Sequence, residues 1–270
     1  MQSWGCTMLK YSDLSTDQLA AIDHCYEKDH TLLVAGMGGG KTVTTLSAAL
    51  ELIEDGIIKR VLVIAPVKVC KSVWPQEPSN WEHLTHLVVA DASGPNEKKR
   101  IAALESDAPI VCINFENLPW LFRVYKCRDM FDGLIVDELS KLKSGGGAQF
   151  KALRPRLNDF KWRVGMTGTP VSEDWMGLYA QMLVVDGGKC LGTRKDDFKR
   201  KYFYATDYME YNWELMEGAP ERLAGIIKDV VYTMPDYRHE LPPLTIRDLQ
   251  VVMPLELRKT YTDLQNTMAA

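Results

Sequence analysis

The segment Ala35-Gly-Met-Gly-Gly-Gly-Lys-Thr42 constrains this chain more than any other. An apolar run over residues 31–35 leads into it, and Val43, Leu46, Leu50 and Ile53 follow at helical spacing until Gly56, which is placed to end that helix. Strand, glycine-rich turn and helix in that order form the setting of a phosphate-binding loop. Gly36, Gly38, Gly39 and Gly40 let successive backbone N–H groups turn inward, where side chains would obstruct them. The helix beginning near Thr42 turns its positive end toward the same point. Lys41 is then placed to reach the β- and γ-phosphates of ATP, and the Thr42 hydroxyl to ligate Mg2+. One position departs from the usual pattern: Ala35 stands where a glycine is customary. The bland alternative, a glycine-rich turn without a ligand, is disfavoured by this strand-and-helix context.

Further short apolar runs recur at residues 60–65, 86–90, 109–114, 133–137 and 163–167, most followed by a turn and a helical pattern. Their near-continuous Val, Ile and Leu content fits strands buried on both faces, as in a parallel sheet covered by helices. The expected fold is therefore a doubly wound α/β domain with its core at about residues 10–170. After Pro170 the chain turns to helical periodicity, aromatics and charge, which predicts a helical extension over about residues 171–240. Residues 241–270 read as a linker with an alternating segment from Leu244 and a last helix bearing Leu257, Tyr261, Leu264 and Met268 on one face. That stretch is expected to open a further lobe that these residues do not contain.

The formal net charge is −4, so binding of nucleic acid must depend on local basic patches. The six cysteines lie scattered without metal-ligand spacing and read as small core residues in a reducing compartment. No apolar stretch reaches membrane-spanning length, and the N-terminus lacks the build of a signal peptide. A cytoplasmic location is expected, and a nuclear one is compatible with the sequence.

Two further strand ends carry candidate chemistry. Gly133-Leu-Ile-Val-Asp-Glu138 closes an apolar run with two carboxylates. Asp137 is suited to hold Mg2+, and Glu138 to polarise the water that attacks a γ-phosphate. Taken alone, such a pair equally well caps the next helix. Gly165-Met-Thr-Gly-Thr-Pro170 ends another run, and the hydroxyls of Thr167 and Thr169 are suited to sense the Asp-Glu pair. Its alternative is an ordinary turn.

In this order the motifs resemble superfamily 2 helicases, specifically the Swi/Snf-type subgroup with its small phage-encoded members. The resemblance is carried by Gln18, residues 35–42, Ala65-Pro66, Asn114-Phe-Glu-Asn-Leu118, Asp137-Glu-Leu-Ser140 and Thr167-Gly-Thr-Pro170, then by Gln181, Asp186-Gly-Gly and residues 198–203. It spans nearly the whole chain and implies the first RecA-like lobe of a P-loop ATPase over residues 1–240. It also implies that Gln18 reads the adenine edge and that the loops after Pro66 and around Asn114 face a nucleic-acid backbone. Lys68 and Lys71 lie close enough to supply charge there, although a solvated face explains them equally well. The family's Asp-Glu-Ala-His box reads Asp137-Glu-Leu-Ser140, so Ser140 replaces the histidine that often couples hydrolysis to the Thr-Gly-Thr segment. The implied partners are DNA rather than RNA, and a second RecA-like lobe carrying the arginines that complete the ATP site.

Two basic clusters remain. Lys141, Lys143, Lys151, Arg154 and Arg156 follow the Asp-Glu box, while Arg194, Lys195, Lys199, Arg200 and Lys201 precede Tyr202 and Phe203. Each is either a phosphate track with aromatic support or a plain solvated surface. Trp74, Trp81, Trp120, Trp162 and Trp175 read as core anchors. The leading function is that of a DNA-dependent ATPase. The alternatives are a nucleotide-gated binding lobe without turnover of its own, and a P-loop kinase or hydrolase of a small molecule.

Overall fold

A computed structural model describes residues 8–127, 129–168, 175–235 and 253–268. Thr169 and Pro170, the alternating segment from Leu244, and Cys6 lie outside the described residues. The chain divides into two units, residues 1–236 and 237–270.

The first unit begins with α1 (Thr16–Glu27), β1 (His30–Val34), α2 (Lys41–Glu54), β2 (Val61–Ala65) and α3 (Val67–Ser72). It continues through β3 (Val89–Asp91), α4 (Glu97–Leu104), β4 (Ile110–Asn114), β5 (Gly133–Val136), α5 (Ala148–Leu153) and β6 (Trp162–Thr167). Then come α6 (Trp175–Asp186), α7 (Lys195–Tyr202), β7 (Phe203–Ala205), β8 (Trp213–Leu215), α8 (Ala219–Ile227) and β9 (Val231–Thr233). The second unit contributes one described helix, α9 (Leu255–Met268), on which Leu257, Tyr261 and Leu264 are exposed.

Seven strands form one parallel sheet in the order β3-β4-β2-β5-β6-β1-β9. Because successive strand residues point to opposite faces, each apolar run feeds two cores. On one face Leu32, Leu62, Ile64, Val111, Ile113, Leu134 and Val136 meet Leu104, Leu153, Leu178 and Leu223 from α4, α5, α6 and α8. On the other, Leu33, Val61, Val63, Cys112, Ile135 and Val164 meet Ile22, Leu46 and Cys70 from α1, α2 and α3. The sheet is thus doubly wound, as the buried runs predict.

Two departures from the expected elements have local causes. The run at 86–90 supplies a strand only from Val89, because a 3-10 turn at Glu82–Leu84 continues through the Leu87 N–H bond to Leu84 O. The segment after Pro170 holds α6, α7 and α8 where a helical extension was expected, but it also carries the antiparallel hairpin β7–β8 and sends β9 back beside β1. A strand of three residues has too little alternation to be visible as a period. The aromatic residues Phe198, Tyr202 and Phe203 are buried together, so they build the core beneath α7 and do not support a phosphate track.

Trp74, Trp81 and Trp162 are buried, and Trp120 and Trp175 half-buried, as expected of core anchors. Cys25, Cys70, Cys112 and Cys127 are buried free thiols, and Cys190 is half-buried. No helix among the described residues is long and apolar enough to cross a membrane.

One close approach links two strand ends. A Cβ on Gly165 of β6 would lie 2.5 Å from Leu139 Cδ2 and 2.8 Å from Val185 Cγ2, so only glycine fits beneath the Leu139 side chain. Gly165→Ala is expected to cost about 1–3 kcal/mol through overpacking, and Leu139→Ala about 2–5 kcal/mol through a cavity. The double variant should lose clearly less than the sum, since a shortened Leu139 makes room for the new methyl. Denaturant unfolding of the four proteins measures this, and strict additivity would remove the steric link.

Candidate active site

Parallel register places the carboxyl ends of neighbouring strands side by side. Val34 of β1 pairs with Thr167 of β6, and Val136 of β5 pairs with Gly165. Two backbone bonds extend the ladders past the strand ends, from Ala35 N–H to Thr167 O at 3.1 Å and from Asp137 N–H to Ile64 O at 2.8 Å. The glycine loop, the Asp-Glu pair and Thr167 therefore share one edge of the sheet, where ligands of open α/β folds bind.

In the loop, Gly38 and Gly40 have φ of 79° and 76°, the left-handed region that favours glycine. Gly40 precedes the first residue of α2, so the N–H groups of that helix's first turn lack intrahelical acceptors beside the loop, while the Gly39 N–H closes a turn onto Gly36 O at 3.3 Å. Ala35 has no positive φ and still belongs to the strand ladder, so its methyl conflicts with nothing there. A Cβ on Gly40 would fall 2.1 Å from Gln18 Nε2. Gln18 thus lies directly against the loop. Its Oε1 accepts from Ser15 N–H at 2.8 Å while Ser15 Oγ accepts from Gln18 N–H, a reciprocal cap at the start of α1.

Lys41 Nζ donates to Ala35 O at 2.8 Å and Gly36 O at 2.9 Å, curling back over the loop. Burial lowers the pKa of this ammonium, while the carboxylates of Asp137 and Glu138 act in the opposite direction. That mutual influence brings Lys41 and the Asp-Glu pair into one electrostatic unit. Burial likewise raises the Asp137 pKa, opposed by a hydrogen bond from the Trp74 indole and by the charge of Lys41. Thr42 and Asp137 are hard oxygen donors of the kind that bind Mg2+ alongside phosphate oxygens. Among the described residues no group of three or more His, Cys, Asp or Glu forms a metal cage of protein ligands alone.

Glu138 adopts φ 62° and ψ 56°, a conformation that costs a residue with a side chain about 1–2 kcal/mol. It opens the 3-10 turn Leu139–Leu142, and Ser140 Oγ donates to its Oε1 at 2.5 Å. Leu139, seated on Gly165, anchors the next residue. The strain and both restraints were invisible in the sequence, because neither Asp-Glu-Leu-Ser nor its spacing encodes a positive φ.

The expected nucleic-acid residues fall into three situations. Lys68 and Lys71 are exposed on α3, and the Lys71 ammonium lies beside Gly94, 3.6 Å from where a Cβ would stand. Asn114 is buried, and its side chain is committed: Oδ1 accepts from Gly94 N–H and Asn117 Nδ2, and Nδ2 donates to Glu116. It shapes the loop next to Lys71 and is not itself presented to a partner. Lys199, Arg200 and Lys201 belong to α7, which packs on α6 and β7, and the Lys199 ammonium lies 4.0 Å from the centre of the Trp213 ring. The cluster after the Asp-Glu box separates too. Lys141 is exposed with its ammonium 5.7 Å from the Phe115 ring, whereas Arg156 pairs with Asp159 and Cys127 O.

Trp74 was expected only as a core anchor. It is fully buried, but its Nε1 also donates to Asp137 Oδ2 at 3.1 Å. A buried tryptophan needs a hydrogen-bond acceptor, which is the one signal the sequence offers; nothing in it says which acceptor the indole meets.

Residues 18–269 match the SNF2-related domain. Protein p41 of Acyrthosiphon pisum secondary endosymbiont phage 1 is 34% identical over 204 residues, covering 73% of this chain and 44% of that protein. The CHD3-type chromatin-remodeling factor PICKLE of Arabidopsis thaliana is 22% identical over 248 residues, covering 83% of this chain and 18% of that protein. The chain thus spans less than half the length of these relatives. Among solved structures, the Sulfolobus solfataricus SWI2/SNF2 ATPase core in complex with dsDNA superposes with a TM-score of 0.68 at 22% identity, covering 89% of this chain and 48% of that one. The ATPase core domain from the same organism gives 0.63 at 23% identity, over 83% of this chain and 45% of that one. Both likenesses concern the fold, which is RecA-like.

Gly40→Ala tests the loop. The new methyl meets both a left-handed backbone and Gln18 Nε2, so the loop and the α1 cap cannot both keep their places. Nucleotide affinity, read by titration with a fluorescent ATP analogue, is expected to fall at least tenfold, which is about 1.4 kcal/mol. Unchanged affinity would mean that this loop is not the nucleotide site.

Proposed function

The chain belongs to the SNF2-related family, and from that premise we propose that it is the ATP-binding and ATP-hydrolysing motor lobe of a Swi/Snf-like superfamily 2 translocase acting on DNA. The observation that carries this reading is the meeting of Lys41, Asp137 and Glu138 at one sheet edge beneath a left-handed glycine loop. A phosphate chain is recognised there by inward N–H groups, the dipole of α2 and one ammonium. Mg2+ shared between the nucleotide and the oxygens of Thr42 and Asp137 would neutralise phosphate charge.

The protein's own groups then have distinct tasks. Lys41 moves from the carbonyls of Ala35 and Gly36 to the phosphate oxygens, exchanging neutral acceptors for charged ones, which are stronger. Glu138 orients the attacking water and takes its proton as the new oxygen–phosphorus bond forms, while the bond from the γ-phosphorus to the β–γ bridging oxygen breaks and ADP leaves. Ser140 holds the Glu138 carboxylate meanwhile. Gln18, already against Gly40, meets the base; with Oε1 occupied by Ser15, its Nε2 is the group left to approach an acceptor on the adenine edge.

DNA is the polymer this reading favours, met by the exposed lysines of α3 and bound with strong dependence on salt. A second reading, a lobe that binds nucleotide without turning it over alone, is favoured by the arginines. Arg60 and Arg163 donate to backbone carbonyls, Arg100 to Gly94 O while stacked on Trp120, and Arg156 to Asp159 and Cys127 O. These four are committed within the lobe, and the family resemblance implies that an arginine neutralising developing γ-phosphate charge, worth about 10³–10⁵ in rate in P-loop enzymes, comes from a partner lobe.

Two measurements test the proposal. Lys41→Ala should abolish tight ATP binding, whereas Glu138→Gln should bind ATP normally and lose hydrolysis in the assembled enzyme. Glu138→Gln turning over at the wild-type rate would overturn the catalytic assignment. Filter binding of duplex DNA across a salt series should show a slope that flattens in Lys68→Ala/Lys71→Ala and in Lys199→Ala/Arg200→Ala/Lys201→Ala according to which cluster meets phosphates. A slope unchanged in both returns both to solvated surface.

A further inference from the structure

Asp137 is held in the main chain by its N–H bond to Ile64 O, so its carboxylate can be aimed only through the side-chain torsions. Two neighbouring groups restrain that aim. Trp74 Nε1 donates to Oδ2 at 3.1 Å from a side chain with no solvent exposure, and the Glu138 backbone N–H also hydrogen-bonds the carboxylate. We infer that Trp74 is a positioning residue for the proposed ATP site: its indole N–H holds one oxygen of Asp137 and so sets the orientation in which the carboxylate would meet a cation.

The geometry gives this contact three properties. It is rigid, because the fully buried indole belongs to the close-packed core cluster that also holds Cys70, Leu84 and one face of the sheet. It is directional, because an indole has one donor and no acceptor, so it can only restrain a carboxylate oxygen and cannot swap roles with it. It also comes from a defined element. Trp74 N–H bonds to Val69 O, closing the last turn of α3, and Cys70 Sγ reaches back to Ala65 O at the end of β2. The carboxylate is thus set from the same helix that exposes Lys68 and Lys71. Outer partners of metal ligands generally act in this way, fixing the orientation of the ligand rather than touching the metal.

The inference depends on the proposed nucleotide site, and the experiment separates the two. Binding of a fluorescent ATP analogue is titrated against Mg2+ in wild type, Trp74→Phe, Asp137→Asn and the double variant, with thermal unfolding as a check on folding. Wild type is expected to bind more tightly as Mg2+ rises; a wild type with no Mg2+-dependent binding would overturn the nucleotide site itself. Given that dependence, Trp74→Phe should raise the half-saturating Mg2+ concentration about tenfold, the scale of a lost hydrogen bond to a charged group. Affinity in EDTA should stay unchanged. In the Asp137→Asn background the same substitution should add little, since the restrained oxygen is already altered. A Mg2+ requirement equal to wild type, or a shift that persists undiminished beside Asp137→Asn, would overturn the positioning role. If Trp74→Phe does not fold, benzothienylalanine at position 74 keeps the two-ring shape and removes only the donor, and the same criteria apply.

Discussion

The register of three parallel strands is the constraint on which the site depends. Every strand of a parallel sheet ends at the same edge, and the pairing of Val34 with Thr167 and of Val136 with Gly165 fixes how far each chain travels before it leaves. A slip of one residue would exchange the two faces of β5, carrying each side chain into the opposite core. It would also move Asp137 away from Ile64 O and from the Trp74 indole. Such a slip is opposed by two cores at once, because alternate residues of each strand are buried on opposite faces. Burial on both sides therefore does more than stabilise the sheet: it sets the relative positions of Lys41, Asp137 and Glu138 to the accuracy that charged chemistry requires.

Glycines then let elements approach more closely than side chains would allow. Gly40 admits the Gln18 amide, and Gly165 admits Leu139. The first contact joins the helix before the sheet to the glycine loop. The second joins the turn that bears Glu138 to the strand that ends at Thr167. In both cases the missing methyl group is what makes the connection, so these contacts are unforgiving in a way that ordinary surface packing is not.

Much of this was legible in the sequence. All six apolar runs became strands of the sheet, since runs of Val, Ile and Leu bounded by turns suit burial on both faces. The glycine loop was readable for a related reason: few settings tolerate so many glycines between a strand and a helix. The hairpin and β9 were not, because three residues leave no period to detect. Asn114 stood in a segment whose resemblance pointed to nucleic acid, yet burial commits its amide to Gly94, Asn117 and Glu116. Trp74 stayed hidden for the opposite reason. A core residue and a polar partner can be the same side chain, and composition counts it only once.

The change from the family's histidine to Ser140 acquires a physical sense from this packing. A histidine at that position would connect the Asp-Glu turn to the Thr167 strand through a polar contact. Here Ser140 bonds inward to Glu138 itself, so its hydroxyl serves the strained turn. One residue earlier, Leu139 packs into the slot over Gly165 of the next strand. A polar link is directional and tunable by protonation, whereas a packed side chain in a slot of its own shape resists displacement in every direction and does not titrate.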